Sequence, residues 1–513
     1  MRPLPLYLEP RLEPPLRSLL EERDLLHTLT DALGSPLNLL LPEQIAENLA
    51  RFQAVYRKHH LTGRIHFAHK ANRSSALVRR LAATEAGLDV ASLAELQHVL
   101  GAGCPPERIM ATGPKNREYL WLAARTGVTV HLDSRAELDD LADLVRKQAL
   151  PPVRVMPRLS GFRAPGTTVL TRPSRFGTDI GELTELIDAL ERHRDAVETT
   201  GVAYHLDTTG VPEKAVALET CITVLNECRR RGLRPRTVDI GGGFGVDYLA
   251  DAGQWERYTT ELTRAVLGKR PALTWQGHGY GLRNESGRLR GTLGLYPAHR
   301  PVAAEAYLDE LLSCPAPTLG RPLGTLLLEN LYDLAVEPGR ALADQCGATL
   351  ARVLEVRHTA AGEHLVRLEM NARDVGLEEH GVLMDPLLIP RPGAPATPGA
   401  SDGPSDSRSD GSPDGPPGDP VGVYLIGNLC LETDLITRRT VFLPRLPAPG
   451  DLLAFANTAG YLMDFSAGRA LRQPVARKVA AYRQDGAWRW RLDEQYWPVD
   501  VTAAAGHRGD GQA

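Results

Sequence analysis

The chain has no apolar stretch close to the roughly 20 residues that a membrane-crossing helix needs, so its sequence offers no helical span. Its first residues, MRPLPLYLEPRLEPPLRSLL, are broken by prolines and acids and lack the continuous apolar core of a secretion signal. Six cysteines (Cys104, Cys221, Cys228, Cys314, Cys346, Cys430) form no C-x-x-C pair, which argues against a disulfide framework and against a zinc ribbon. A reducing, cytoplasmic setting is expected. A charge excess is missing too: Lys+Arg 59 against Asp+Glu 63 gives a net charge of -4, which provides no electrostatic case for nucleic acid or an anionic membrane as partner. Small metabolites remain.

What is present suits a soluble enzyme. Hydrophobic residues make up 42% and charged residues 24% of 513, a length that fits two domains, or one large barrel with a second module. From Arg64 onward, short β-rich runs alternate with longer amphipathic stretches such as SLAELQHVLGAG and SRAELDDLADLVRKQ. The runs end in IHFAHK, LDVAS, RIMATGP, VTVHLDS, VRVMPRLS, VAYHLD, TVDIGGG and LAVEPGR. Eight strand–helix units predict an α/β fold, a (β/α)8 TIM-like barrel over residues 46–340, with its chemistry at the carboxyl ends of the strands.

Residues from about 274 to 324, with LTWQGHGYGLRNESGRLRGTLGLYP, interrupt the rhythm and are expected to form an insertion with a hairpin over the barrel mouth. After Arg340 the runs lose their helices, so a mostly β domain is expected over 341–500, with residues 1–45 contributing to it. Within it, about 390–420 is Pro/Gly/Ser/Asp-rich and is expected to be a disordered surface insertion. Residues 501–513 read as a flexible tail.

Lys70 closes the first strand, in RIHFAHKANRSS. On type alone such a lysine is a solvated strand end; in a barrel its amine enters the site where the loops converge. Gly241, Gly242 and Gly243 follow the seventh strand, where missing Cβ atoms let backbone N–H groups surround an anion. The spacing is not G-x-G-x-x-G, because Val246 stands where the last glycine belongs. EPGR at the eighth strand end supplies Arg340, suited to bidentate phosphate binding, and Glu337, suited to holding a proton on a heterocyclic nitrogen. An amine, an anion seat and a pyridinium partner are what pyridoxal phosphate requires. His66 and His69 flank Lys70; strand alternation turns His69 away from the lysine as a structural histidine. Neither completes a ligand spacing, so no metal is expected.

On FAHKAN, GLDVASLAEL, SRFG, AYHLDTTG, DIGGGFG, VEPGR, GNLCLETD and AGYLMDF, in this order, the chain resembles the fold-type III pyridoxal-phosphate decarboxylases. That group acts on diaminopimelate, ornithine and arginine and shares its barrel-plus-β-domain architecture with alanine racemase. The resemblance implies a decarboxylase, a carbon–carbon lyase, that releases CO2 from an amino acid through a Schiff base on Lys70. It implies that His205 stacks on the cofactor ring, that Asp89 sits near the Schiff base, and that Glu337 pairs with the pyridine nitrogen. Thr208, Gly241, Gly242, Gly243, Arg340 and Tyr461 would hold the phosphate. Cys430 would be the proton donor, reaching into the neighbouring site of a head-to-tail homodimer.

The departures bear on the substrate. Leu431 follows Cys430 where the diaminopimelate and ornithine enzymes have an acid that binds a distal ammonium, and Glu432 and Asp434 are the nearest substitutes. Asp207 stands where glycine is usual, Thr208 replaces serine, Arg175 replaces lysine in SRFG, and no arginine–proline and tyrosine element follows EMNARDVG. Two alternatives share the scaffold: an amino-acid racemase or epimerase, in which the resemblance would put arginine at position 337, and a catalytically silent cofactor-binding homologue.

Overall fold

The computed structural model describes residues 5–163, 174–206, 208, 210–393 and 420–493. Asp207, nearly all of the expected 390–420 insertion and the 501–513 tail lie outside the described residues.

Each of the eight runs forms a strand, and the strands pair in parallel in chain order: Gly63–Ala68, Gly87–Val90, Ile109–Ala111, Thr129–Leu132, Val153–Ser160, Gly201–Tyr204, Thr237–Asp239 and Asp333–Val336. The last pairs back onto the first, which closes the barrel. Four of these strands are buried at every residue, as expected where helices cover one face and packed side chains fill the other. The helices start where the sequence supplies caps: Ser92 accepts from the Glu95 N–H, Asn116 from Tyr119 and Ser134 from Glu137, each pairing an N–H left over at a helix start.

The interruption is shorter than the sequence indicated. Leu282–Glu285 and Arg288–Gly291 form the NESG hairpin, but almost all of its residues are exposed. The segment that follows it, with Leu295, Tyr296, Pro297 and Arg300, is what lines the cavity at the barrel mouth. Helices Ala304–Ser313 and Leu323–Glu329 pack on Pro42–Lys58 and Val211–Arg230 and belong to the barrel's own helical layer. Their apolar faces, Leu308, Leu311 and Leu327 among them, are buried there, and so the expected insertion to residue 324 is corrected.

The second domain is an open, mostly antiparallel nine-stranded sheet. Its long strand Gly347–His358 pairs with Leu37–Leu40, His364–Leu368 and Leu452–Ala456. Leu37–Leu40 precedes the barrel in the chain yet sits between Gly347–His358 and Arg477–Gln484; its four buried residues explain the position. No helix of the described residues is long and apolar enough to cross a membrane.

Candidate active site

Lys70 lies in a single 3-10 turn, His69–Ala71, directly after the first barrel strand. That turn separates the two flanking directions: His69 points into the helical layer, where its Nε2 lies 2.8 Å from His98 Nδ1, while the Lys70 amine enters the barrel mouth. There Nζ is 3.8 Å from Asp89 Oδ2, at the end of the adjacent strand. Asp89 is 1% exposed; its Oδ1 accepts from the Thr112 hydroxyl, and Oδ2 has no hydrogen-bond partner among the described residues. Burial pushes the Asp89 carboxyl up to about 7, with the Glu337 charge adding and Lys70 opposing. The Asp89 charge in turn raises the Lys70 ammonium above its ordinary value, against desolvation.

Two adjoining cavities, about 290 and about 620 Å3, share Lys70, His205 and Glu337 as walls. Glu337 leaves the eighth strand and meets His205 Nδ1 at 3.6 Å and His131 Nδ1 at 3.8 Å. Beneath it, His131 Nε2 is 3.8 Å from Asp239 Oδ2. His131, Asp239 and Glu337 are buried and offer three ligand-type atoms within 4.8 Å of one another. Spacing along the chain gave no sign of this trio, since its members come from three strands. Burial, followed by the charge of Glu337, lifts Asp239 well above the ordinary carboxylate range. Burial also raises Glu337, but Lys70 and Arg158 pull it back. The His205 Nδ1 accepts the Gly242 N–H at 3.3 Å, which fixes the neutral tautomer; burial and then the Lys70 charge lower that imidazole to about 3.

The glycine run contributes unequally. The Gly241 N–H is donated to Asp239 Oδ1 at 2.8 Å and its carbonyl accepts from Glu337, so Gly241 is a strut and not an anion ligand. This corrects the expectation for that residue: the turn needs its φ of +64° to bring the strand end over Asp239. Gly242 and Gly243 line the larger cavity, and the N–H groups of Gly243, Phe244 and Gly245 have no hydrogen-bond partner among the described residues. Consecutive unpaired amides suit an anion, and Gly243 and Phe244 line the larger cavity. Beside them, Thr208 uses its hydroxyl oxygen to accept the Gly210 N–H, which leaves the O–H free to donate.

Arg340 has no acidic partner among the described residues. Its guanidinium donates to the Tyr248 hydroxyl at 2.7 Å and stands 5.1 Å from the ring centroids of Tyr296 and Tyr461. Tyr461 arrives from the second domain with a φ of +70° and donates its N–H to the Ala71 carbonyl. Its hydroxyl comes so close to the backbone that a Cβ on residue 339 would lie 2.8 Å away, which is why EPGR carries glycine.

Two expected substrate contacts change role or place. Asp434 accepts N–H groups from Ala372 at 2.8 Å and Leu429 at 2.9 Å. Its carboxylate shapes the 427–434 loop and is buried. Cys430 and Glu432 are exposed and do not line either cavity of their own chain. Conversely, His131, Asp239 and Arg158 belong to the site without having been singled out; each stands at or near the end of a barrel strand, the one signal by which the sequence marks them.

Residues 43–290 match the model of the family described as pyridoxal-dependent decarboxylase, pyridoxal binding domain. A protein of Sinorhizobium fredii, y4yA, is 30% identical over 451 residues, 86% of each chain. The diaminopimelate decarboxylase of Aquifex aeolicus is 30% identical over 230 residues, 44% of this chain and 54% of that enzyme, so the alignment spans about half the length of that relative. Among solved structures, diaminopimelate decarboxylase from M. jannaschii superposes with a TM-score of 0.66 at 17% identity over 91% of each chain. The Paramecium bursaria Chlorella virus arginine decarboxylase gives 0.62 at 17% identity, covering 90% of this chain and 99% of that one. At such identities the superpositions establish the fold.

Proposed function

The chain belongs to the pyridoxal-dependent decarboxylase family, whose cofactor is pyridoxal 5′-phosphate, and from that premise we propose that it releases CO2 from an amino acid at the Lys70 site. The observation that carries this reading is the convergence on one cavity of the Lys70 amine, the Glu337 carboxylate, the His205 ring and an unpaired amide run beside Arg340. The residues fit the cofactor. The free N–H groups and uncompensated Arg340 call for a dianion, and buried Asp89 Oδ2 lacks a hydrogen-bond donor.

When bound, the cofactor supplies the electron sink for the pair left by the departing carboxylate. The protein's part is binding, orientation and proton placement. Lys70 would supply the amine for the cofactor aldehyde, and Asp89, 3.8 Å away, would keep that nitrogen in a negative field. Glu337 would keep the ring nitrogen protonated. His205 offers a flat neutral face. Thr208, Gly243, Arg340 and Tyr461 would hold the phosphate, with Gly242, whose N–H goes to His205, as a wall of the seat.

An exposed Cys430 serves no cavity in its own chain, which favours a homodimer in which it protonates Cα in the partner's site. The same loop leaves Leu431 53% exposed. With Leu431 apolar and Asp434 already accepting two backbone amides, Glu432 is the exposed acid of that loop left to meet a distal ammonium.

The reading is tested by borohydride reduction, peptide mass spectrometry, and CO2 release across a panel of amino acids. Label on the Lys70 peptide, lost in Lys70→Ala, together with CO2 from at least one amino acid supports it. Label elsewhere, or racemisation without CO2, overturns it.

A further inference from the structure

Helix Val211–Arg230 carries Lys214 beneath the glycine turn. Lys214 is 0% exposed. Its ammonium donates to the Gly242 carbonyl and otherwise faces two rings, with Nζ 4.8 Å from the Phe244 centroid and 5.4 Å from that of Tyr307. It has no ion-pair partner among the described residues; neighbouring Glu213 lies against Gly210 instead. Burial accordingly lowers its pKa to about 7.

A buried ammonium with one carbonyl and two ring faces is poorly compensated. The missing negative charge has a place on the other side of the backbone. A Cβ at Gly243 would lie 3.1 Å from Lys214 Nζ, and Gly242 and Gly243 line the cavity with Thr208 and Arg340. In a trans peptide the C=O and the following N–H point in opposite directions. Drawing the Gly242 carbonyl down onto Lys214 therefore turns the unpaired Gly243 N–H up toward the cavity.

Resting on the cofactor reading above, we infer that Lys214 is a positioning residue for the cofactor phosphate: it pins the Gly242 carbonyl, aims the Gly243 N–H and supplies counter-charge from behind the loop. None of this requires Lys214 to touch the ligand.

The test compares wild type with Lys214→Met, which keeps length and loses charge. Dissociation constants are measured for pyridoxal 5′-phosphate and for pyridoxal, which lacks the phosphate, together with melting temperatures with and without the phosphorylated cofactor. The expected result is a loss of roughly ten- to hundredfold in affinity for pyridoxal phosphate, with pyridoxal unchanged within about twofold. The cofactor-free variant should melt no lower than wild type, while the rise on adding cofactor shrinks. Equal weakening of both ligands, or a lower melting point with an undiminished cofactor-induced rise, overturns the inference. If Lys214→Met does not fold, Lys214→Gln, which can keep the donor to Gly242 but loses the charge, must still weaken pyridoxal phosphate and leave pyridoxal unchanged. A wild type that binds neither ligand sinks the cofactor reading itself, a result distinct from failure of the Lys214 role.

Discussion

Lys70 Nζ stands 3.8 Å from Asp89 Oδ2, across the ends of two neighbouring parallel strands in which Ala68 and Asp89 are register partners. The pairing of those strands fixes the distance, so the amine's electrostatic partner is set by the barrel itself and does not depend on a flexible loop.

The pH dependence of stability follows from Asp89. Burial raises its folded value from 3.8 to about 7, so between those values the folded chain binds a proton that the unfolded chain has released. The stabilisation is complete below the lower value and is lost as pH rises to about 7. Cofactor-free Asp89→Asn should show a flatter stability profile from pH 4 to 7, the difference reaching at most about 4 kcal/mol. Parallel denaturation curves for the two proteins across that range reject the assignment.

Glu337→Gln should retain cofactor binding, because the anion seat is untouched, yet slow CO2 release by on the order of 10²–10³. The measurement is kcat beside the cofactor dissociation constant. Loss of affinity with an unchanged kcat would place Glu337 outside the proton-holding role.

Gly339→Ala would set a Cβ 2.8 Å from the Tyr461 hydroxyl and 3.0 Å from the Ala71 Cβ. Overpacking of this kind costs about 1–3 kcal/mol and displaces Tyr461 from Arg340. Thermal melting and cofactor titration should both shift, and Gly339→Ala combined with Tyr461→Phe should recover part of the loss.

If Cys430 serves a partner's site, mixing Lys70→Ala with Cys430→Ala chains should regenerate activity that neither has alone. Random pairing of equal amounts gives half mixed dimers with one intact site each, about a quarter of wild-type activity. An inactive mixture whose chains have exchanged shows that Cys430 acts within its own chain or not at all.

Asp434→Ala should act on stability, since the Ala372 and Leu429 amides lose their acceptor at a cost of about 1–3 kcal/mol. The KM of any substrate should change no more than for other variants of equal stability. A selective rise in KM would return Asp434 to the substrate site.

The order of strand ends, the amine at the first, the glycine turn at the seventh and the acid–arginine pair at the eighth are all properties of local sequence. Period-2 apolar runs, capping serines and residues at fixed offsets from strand ends declare themselves within a few residues. So the barrel and Lys70, Glu337 and Arg340 could be read from the chain itself. The chain could not reveal that Gly241 spends its amide on Asp239, that Asp434 spends its carboxylate on Ala372 and Leu429, that Asp239 and His131 lie under Glu337, or that Lys214 lies under Gly242. The contacts of Asp434 with Ala372, of His131 and Asp239 with Glu337, and of Lys214 with Gly242 join residues far apart in sequence, and those of Gly241 and Leu429 need a loop path that the tertiary structure sets. Which polar groups are already paired, and which remain for a ligand, is decided there.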